Sequence, residues 1–197
     1  FKALRPARWA VSFGIALLAG CGGGGVSVTD TTGAPDGNGW AWALPANFPT
    51  PKVPVDNPMS AAKVELGRFL FYDKRLSGNG TQSCGSCHEQ ARAFTLPTET
   101  ARGSTGEFTP RNAQGLANVA YNATLTWANP SLVTLERQME TPLFGEGPVE
   151  MGVNDGNKAS VLARIAADAN YPARFAAAFP IEPAPVVNWN TIIKAIS

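Results

Sequence analysis

The chain has 197 residues and a formal net charge of +1, from 16 basic and 15 acidic side chains, with no basic block beyond its first residues. Nucleic acid is therefore not an expected partner, because binding to phosphates needs concentrated positive charge. The sequence contains only three cysteines and one histidine, which argues against a structural zinc site built from the usual paired clusters.

Residues 1–21 predict a bacterial export signal. Basic residues precede an apolar run from Trp9 to Ala19, which is about half of what a membrane span requires. The sequence LLAGC that ends at Cys21 resembles the lipobox of lipoprotein signal peptides. This resemblance implies a lipidated Cys21 and a periplasmic protein held on a membrane surface, with the outer membrane as the expected one. An ordinary signal peptide or a short uncleaved anchor is the alternative.

Residues 22–57 are predicted to form a tether. Its first part, up to Gly39, is rich in Gly, Thr, Ser and Asp, the composition of a flexible linker. Its second part is rich in proline and aromatic residues. We expect this second part to be extended and to wrap the domain surface, with Trp40, Trp42 and Phe48 packing there rather than binding a ligand.

Residues 58–197 are predicted to form the folded domain. Asn57 is expected to cap the first helix and Pro58 to occupy its first position. The apolar stripe of this helix consists of Ala62, Leu66, Phe69 and Leu70. Further short helices are predicted at residues 112–120, 130–140, 158–168 and 171–179, and an apolar helical stripe runs through residues 189–197. Because no segment alternates convincingly with a period of two, the predicted fold class is all-α, with short helices joined by long loops.

The sequence SCGSCHEQ, residues 83–90, contains two of the cysteines and the only histidine. Its C-x-x-C-H spacing is typical of covalent c-type haem attachment. Cys84 and Cys87 would form thioethers to the haem, and His88 would bind its iron. No strand pattern precedes the motif as in a thioredoxin-like redox pair, and a chance motif around a disulfide or free thiols is the remaining alternative. Because haem would add a large apolar surface to the core, we expect the apoprotein to be loosely folded.

Several motifs in order resemble the amino-terminal domain of the bacterial di-haem cytochrome c peroxidase and MauG family. They are KVELGRFLFYDKRLSGNGTQSCGSCHEQARAFT at residues 63–95, RNAQGLANVAY at 111–121, LERQMETP at 135–142 and PVEMG at 148–152. The resemblance implies a cytochrome c-like haem domain in which peroxide reacts at the haem.

This family also implies that the domain is the first of two. The chain begins at Phe1 without methionine, and its final helical stripe reaches Ser197 with no Gly or Pro to stop it. We therefore expect a piece of a longer protein, with a second haem domain beyond Ser197.

The resemblance assigns roles to five further residues. Asn112 would be a calcium ligand, and Trp127 would relay electrons between the haems. Gln138, Pro142 and Glu150 would line the open side of the haem, where peroxide enters. Structural roles remain open for the same positions: a helix cap for Asn112, a core side chain for Trp127 and an exposed loop glutamate for Glu150.

Glu150 is the expected catalytic acid and base. Splitting the O–O bond of peroxide requires moving a proton from one oxygen to the other, which a carboxylate above an apolar haem face can do. Glu146 is the nearby competitor for this role. Many family members carry a second histidine in the loop corresponding to residues 103–112, whereas this loop has none. We expect a five-coordinate or water-bound, high-spin ferric haem that accepts peroxide without prior reduction.

Two classes of function follow. The first is an enzyme that reacts with hydrogen peroxide and draws electrons either from a small donor cytochrome or copper protein, or from a partner protein whose tryptophan it oxidises. The export signal and the histidine-free loop resemble di-haem enzymes associated with methanobactin-type copper-binding proteins. The second is a lipid-anchored electron-transfer cytochrome with one haem, which needs a sixth iron ligand from Met59, Met139 or Met151. A non-haem lipoprotein adhesin is a third, weaker hypothesis.

Overall fold

The computed structural model describes residues 31–32, 39–127, 129–184 and 186–197. The export signal, Cys21 and most of the Gly-rich tether lie outside the described residues. In the described part the helices are α1 Ala61–Tyr72, α2 Cys84–Cys87, α3 Leu135–Phe144, α4 Lys158–Ala166, α5 Tyr171–Ala178 and α6 Trp189–Ile196. Strands β1 Thr31–Thr32 and β2 Ala43–Leu44 form one short antiparallel pair. The predicted all-α fold, with short helices and long loops, is confirmed.

Helix α1 forms the centre of the core and packs against α5 and α6. Leu66 and Leu70 from α1, Phe175 from α5 and Ile192 from α6 are all fully buried. Gly67 lies where α1 crosses α6, and a Cβ there would overlap the carbonyl oxygen of Ala195. The two helix backbones therefore approach as closely as they do because this position has no side chain.

The start of α1 differs from the sequence prediction. Ser60 is the N-cap residue, and its hydroxyl accepts a hydrogen bond from the Lys63 amide at 3.2 Å. The predicted cap, Asn57, is buried instead. Its amide oxygen accepts from the Lys63 ammonium at 2.8 Å, and its amide nitrogen donates to Glu136 at 2.7 Å. Asn57 therefore ties the incoming chain to α1 and α3, because a buried ammonium requires acceptors.

Of the other helix predictions, three are confirmed, one helix starts later than predicted and one is wrong. Helices α4 and α5 lie where residues 158–168 and 171–179 predicted them, and α6 lies in 189–197. The helix predicted at 130–140 starts later, at Leu135, after the cap Thr134. The helix predicted at 112–120 is wrong. This stretch is irregular up to a 3₁₀ turn at Val119–Tyr121, because Asn118 adopts a left-handed backbone with φ of 57°.

The proline-rich segment contacts the domain, but two turns, closed by bonds from Phe48 to Pro45 and from Asn57 to Pro54, interrupt the predicted extended course. The rings of Trp40 and Trp42 pack edge to face at 5.6 Å, and Phe48 packs the same way against Tyr121 at 5.7 Å. The Tyr121 hydroxyl donates to the Pro49 carbonyl at 2.7 Å, which fixes the segment to the domain. Within the described ranges, no helix has the length and apolar character needed to cross a membrane.

Candidate functional site

The two cysteines of the motif lie at the ends of α2, a single turn of helix. The turn is closed at its start by Ser86, whose hydroxyl accepts from the Ser83 amide at 3.1 Å. Gly85 lets α2 lie flat on α1, since a Cβ there would stand 2.5 Å from the ring of Tyr72. Both thiols are partly buried, and one short helix presents them together.

The tautomer of the neutral His88 imidazole follows from its hydrogen bond. Its Nδ1 lies 2.8 Å from the carbonyl oxygen of Phe94. A carbonyl oxygen can only accept, so Nδ1 donates, and in the neutral imidazole Nε2 keeps its lone pair. In metal sites, a hydrogen bond from the ring nitrogen that does not bind the metal orients the imidazole. The motif therefore offers two thiols and one imidazole nitrogen, the donor set that a c-type haem requires.

The loop after His88 is strained in a way that serves this bond. Ala93 and Phe94 adopt left-handed backbone conformations, with φ of 53° and 63°. Such conformations cost about 1–2 kcal/mol for a residue with a side chain. The amide of Phe94 donates to Glu89 at 2.9 Å, which closes the turn. The Phe94 carbonyl is thereby aimed at the His88 imidazole. Two consecutive left-handed residues beside a candidate metal ligand indicate a functional constraint.

Glu150 lies beside the carboxyl-terminal end of α3. The following amide, of Met151, donates to the carbonyl of Pro142 at 2.9 Å, and the Val153 amide donates to Leu143 at 3.1 Å. Glu150 and Pro142 are therefore brought together, and Gln138 lies one helical turn before Pro142 on the same face of α3. Glu146 is exposed, whereas Glu150 is partly buried.

The Glu150 carboxyl interacts electrostatically with both thiols of the haem motif. Burial raises the pKa of Glu150. Burial also raises the pKa of the Cys84 thiol to about 12, and repulsion from the Cys87 and Glu150 charges adds to this shift. Burial and the Glu150 charge likewise raise the pKa of Cys87. Thiols with raised pKa values stay protonated at neutral pH, which is the opposite of what an activated redox pair needs.

Asn112 contacts both Trp127 and the loop that follows His88, which contains Phe94 and is called the Phe94 loop below. The Asn112 side chain pairs with the backbone of Leu96, accepting from its amide at 3.3 Å and donating to its carbonyl at 2.9 Å. The Trp127 indole nitrogen donates to the Asn112 carbonyl at 3.0 Å, and the ring is 55 % exposed in this chain. The alternative of a buried core side chain for Trp127 is therefore wrong for the described chain, and the relay role stays a prediction.

The calcium role of Asn112 stays a prediction. Its amide oxygen already accepts a hydrogen bond from Leu96. Among the residues the structure describes, no group of three or more His, Cys, Asp or Glu side chains is arranged to hold a metal ion.

Two of the three methionines, Met139 and Met151, pack as core residues. Met151 is 4 % exposed and belongs to the main apolar cluster with Leu143 and Val153. Met139 packs against the same cluster. Such placement is typical of methionine as a filler of apolar space and gives no support to Met151 as an iron ligand.

Sequence reasoning missed several residues that shape the site. Gln82 donates to the Cys87 sulfur at 3.5 Å and to the Arg102 carbonyl at 2.5 Å. Phe94 orients His88, and Glu107 accepts from the Val149 amide at 3.0 Å. The Gln82–Arg102 and Glu107–Val149 contacts join segments 20 and 42 residues apart, so no local pattern signals them. The Phe94–His88 contact is local but depends on the unusual backbone of Phe94, which the residue type does not predict.

An all-α fold that presents two thiols and one imidazole in a C-x-x-C-H motif is typical of a c-type haem domain. Residues 61–197 match the family model described as di-haem cytochrome c peroxidase. The chain belongs to this family, as the sequence motifs predicted, and membership implies c-type haem.

The relatives are of two kinds. The chain is 40 % identical over 134 residues to the cytochrome-c peroxidase IdrP1 of Denitromonas iodatirespirans, covering 67 % of this chain and 34 % of that protein. It is 30 % identical over 168 residues to the methylamine utilization protein MauG of Methylorubrum extorquens, covering 81 % and 46 %.

Solved structures agree on the fold. A MauG-like protein associated with microbial copper homeostasis superposes with a TM-score of 0.78 at 60 % identity, covering 80 % of this chain and 45 % of that one. The di-haem peroxidase BthA of Burkholderia thailandensis superposes with a TM-score of 0.55 at 25 % identity, covering 71 % and 37 %. The chain spans less than half the length of each of these relatives.

Proposed function

We propose that this chain is the haem-binding part of a peroxidase-type oxidoreductase that accepts hydrogen peroxide on the side of the haem faced by Glu150. The observation that carries the proposal is the partly buried Glu150, whose segment is bonded to α3 through the Met151 amide and the Pro142 carbonyl and whose charge adds to the effect of burial in raising the pKa of both motif thiols. Cys84 and Cys87 would hold a c-type haem and His88 would ligate its iron. When bound, the haem supplies the exchange of electrons with peroxide.

Glu150 acts as the proton carrier in this proposal. Its carboxylate takes a proton from one peroxide oxygen and returns it to the oxygen that leaves as water. Burial keeps bulk water from competing for that proton, and the raised pKa brings the group closer to neutral pH, where acid and base roles are best balanced. Gln138 and Pro142 shape the neighbouring surface of α3.

The rest of the site supports an open position for peroxide. The chain contains one histidine, and the Phe94 carbonyl fixes it for iron binding. Met151 lies within the apolar core. No second imidazole from this chain is therefore available to close the other face of the haem.

The proposal also covers the source of the electrons for the whole protein. We propose that Trp127 carries electrons towards the haem. Its ring is exposed in this chain, and hydrogen bonds through Asn112 and Leu96 connect it to the Phe94 loop. The similarity to a MauG-like protein associated with copper homeostasis favours a partner protein as the electron source over a small donor cytochrome. We further propose a periplasmic location, with a lipid on Cys21 and residues 22–57 as the tether.

Glu150→Gln in the full-length holoprotein tests the catalytic assignment. We expect peroxide to react about 10² to 10⁴-fold more slowly in stopped-flow measurements, with normal haem loading and an unchanged resting spectrum. Glu146→Gln is the matched control and should react at the normal rate, because that side chain is exposed. Normal turnover in Glu150→Gln would refute the assignment, and a low-spin resting spectrum in the unmodified protein would refute the open position.

A further inference from the structure

The loop without histidine forms a hairpin that lies between two other segments of the site. We call it the 101–109 hairpin. The Ala101 amide donates to the Thr109 hydroxyl at 2.9 Å, and the Thr109 amide donates back to the Ala101 carbonyl at 2.9 Å. An antiparallel bridge joins Arg102 and Phe108. The hairpin is therefore a closed unit with its own backbone bonds.

One edge of the 101–109 hairpin is fixed to the segment that leads into the haem motif. The Gln82 side chain, which also reaches the Cys87 sulfur, donates to the Arg102 carbonyl at 2.5 Å. The Asn79 side chain donates to the Ser104 carbonyl at 2.7 Å. These bonds set the position of the hairpin relative to α2.

The other edge holds the segment that contains Glu150. The Ser104 amide donates to the Glu150 carbonyl at 2.7 Å, and the Glu107 carboxylate accepts from the Val149 amide at 3.0 Å. Gly103 touches the same place, since a Cβ there would overlap the Val149 carbonyl. The backbone on both sides of the Val149–Glu150 peptide is thus fixed by hairpin residues.

We propose that the 101–109 hairpin positions the Glu150 carboxyl over the haem, and that Glu107 is the positioning residue for this group. This inference rests on the proposed function, since it assumes that Glu150 moves the proton. Glu107 does not touch the reacting atoms. It acts through the Val149 amide, which immediately precedes Glu150 in the chain.

The loss of the single hydrogen bond between Glu107 and Val149 is enough to affect the reaction rate. A misplacement of about 1 Å of a group in a reaction can cost about 10²-fold in rate. Glu107 is exposed, so its substitution removes little packing, and other anchors of the segment, such as the bond between Met151 and Pro142, remain. The expected effect is therefore a displaced Glu150 in a folded protein.

The test compares Glu107→Ala with Glu107→Gln in the full-length holoprotein, with Glu99→Ala as the control for losing an exposed glutamate. Hydrogen exchange of residues 147–152 reports the Val149 bond. Cyanide binding to the ferric protein reports the proton acceptor without turnover, because hydrogen cyanide must lose its proton on binding. Its rate is measured as a function of pH beside the peroxide reaction.

We expect Glu107→Ala to exchange faster in residues 147–152 and to slow both reactions about tenfold, less than the loss in Glu150→Gln. Its pH midpoint should move down, because a displaced Glu150 is more hydrated. The facing titratable groups, Cys84 and Cys87, no longer ionise once joined to haem. Glu107→Gln should restore the unmodified behaviour, because its amide oxygen can still accept, and Glu99→Ala should show no change.

Two outcomes would overturn the inference. Faster exchange in Glu107→Ala with unchanged rates and pH midpoint would show a merely structural bond. A Glu107→Gln variant as impaired as Glu107→Ala would exclude the acceptor role. If Glu107→Ala takes up no haem, Gly103→Ala disturbs the same contact and must give the same shifts. Unchanged rates in Glu150→Gln would instead refute the proposed function, so the two failures are distinguishable.

Discussion

The helical core and the haem-site region of this domain are built on different principles. The buried members of the main apolar cluster lie within residues 66–76 and 143–195, and residues 77–142 contribute none of them. That intervening stretch contains the haem motif, the Phe94 loop, the 101–109 hairpin and Trp127. The chain buries its own side chains in the first region, whereas in the second it arranges turns, hydrogen bonds and a hairpin around the haem position.

The two regions therefore differ in what stabilises them. Apolar burial stabilises the helical core at about 25 cal/mol per Å² removed from water. The site region orders many residues with little apolar burial of its own, and each costs about 1–2 kcal/mol of backbone entropy. We infer that the haem surface supplies the missing apolar contact there. Each variant below either breaks or sharpens this contrast.

Removing the haem attachment should separate the two regions most clearly. In the double variant Cys84→Ala and Cys87→Ala no thioether can form. We expect helical circular dichroism from α1 and α4 to α6 to persist, while limited proteolysis cuts within residues 77–142 at protease levels that leave the holoprotein intact. The unmodified holoprotein, which retains both thioethers, is the control. Equal resistance of both regions in the double variant would remove the contrast.

Truncating the centre of the core should have the next largest effect. Phe175 is fully buried, and Phe175→Ala should lower the free energy of unfolding by about 3–5 kcal/mol through lost burial and a cavity. Urea unfolding of the holoprotein measures this change. Ile181→Ala, at a side chain that is 94 % exposed, should change stability by less than about 0.5 kcal/mol. If the peroxide reaction at low temperature fell together with stability, the two regions would not be independent.

A polar network at the edge of the core should respond to acid. Asp73 accepts from the Arg75 amide at 2.8 Å and from the Tyr171 hydroxyl at 2.8 Å. Burial opposes ionisation of Asp73, but the hydrogen bonds from Arg75 and Tyr171 outweigh it and hold the pKa below its usual range. A lowered carboxyl pKa contributes stability above the unfolded pKa, and this contribution is lost as pH falls through the folded pKa.

Asp73→Asn should therefore destabilise the protein by about 1.5–3 kcal/mol at neutral pH, the usual worth of hydrogen bonds to a charged group. The difference from the unmodified protein should shrink once the pH falls below about 4. Urea unfolding across this range is the measurement. A difference that does not depend on pH would show that lost packing, rather than the charge, is responsible.

The smallest expected effect is a gain in stability at the site itself. Burial raises the pKa of Glu150, so the native state binds its proton more tightly than the unfolded state does. Stability contributed by this group is present below the ordinary glutamate pKa and declines as pH rises through the raised value. Glu150→Gln should lack this decline and become the more stable form at higher pH. Parallel unfolding curves at every pH would contradict a buried Glu150.

The sequence analysis succeeded where the information is local. The C-x-x-C-H spacing places both thiols on one helical turn, and apolar spacing located α4, α5 and α6. It failed where tertiary contacts override local preference. Asn57 has the residue type of a helix cap, yet a buried ammonium recruits its amide, and Phe69, at a stripe position, is 37 % exposed beneath the guanidinium of Arg174 at 3.8 Å.

By itself, the sequence predicted the family and the all-α class, which are both confirmed, and it supplied the proposal that Cys84 and Cys87 attach a haem and His88 ligates its iron. These follow from neighbours in the chain, whose geometry is fixed by a single turn of helix. Only the tertiary structure decided which nitrogen of His88 is hydrogen-bonded and which is left free to bind a metal, how deeply Glu150 is buried, and what holds it there. The first depends on the left-handed backbone of Phe94, which aims its carbonyl at the imidazole and which the residue type does not predict. The others depend on the 101–109 hairpin, because hydrogen bonds and desolvation act through space between segments that are distant in sequence.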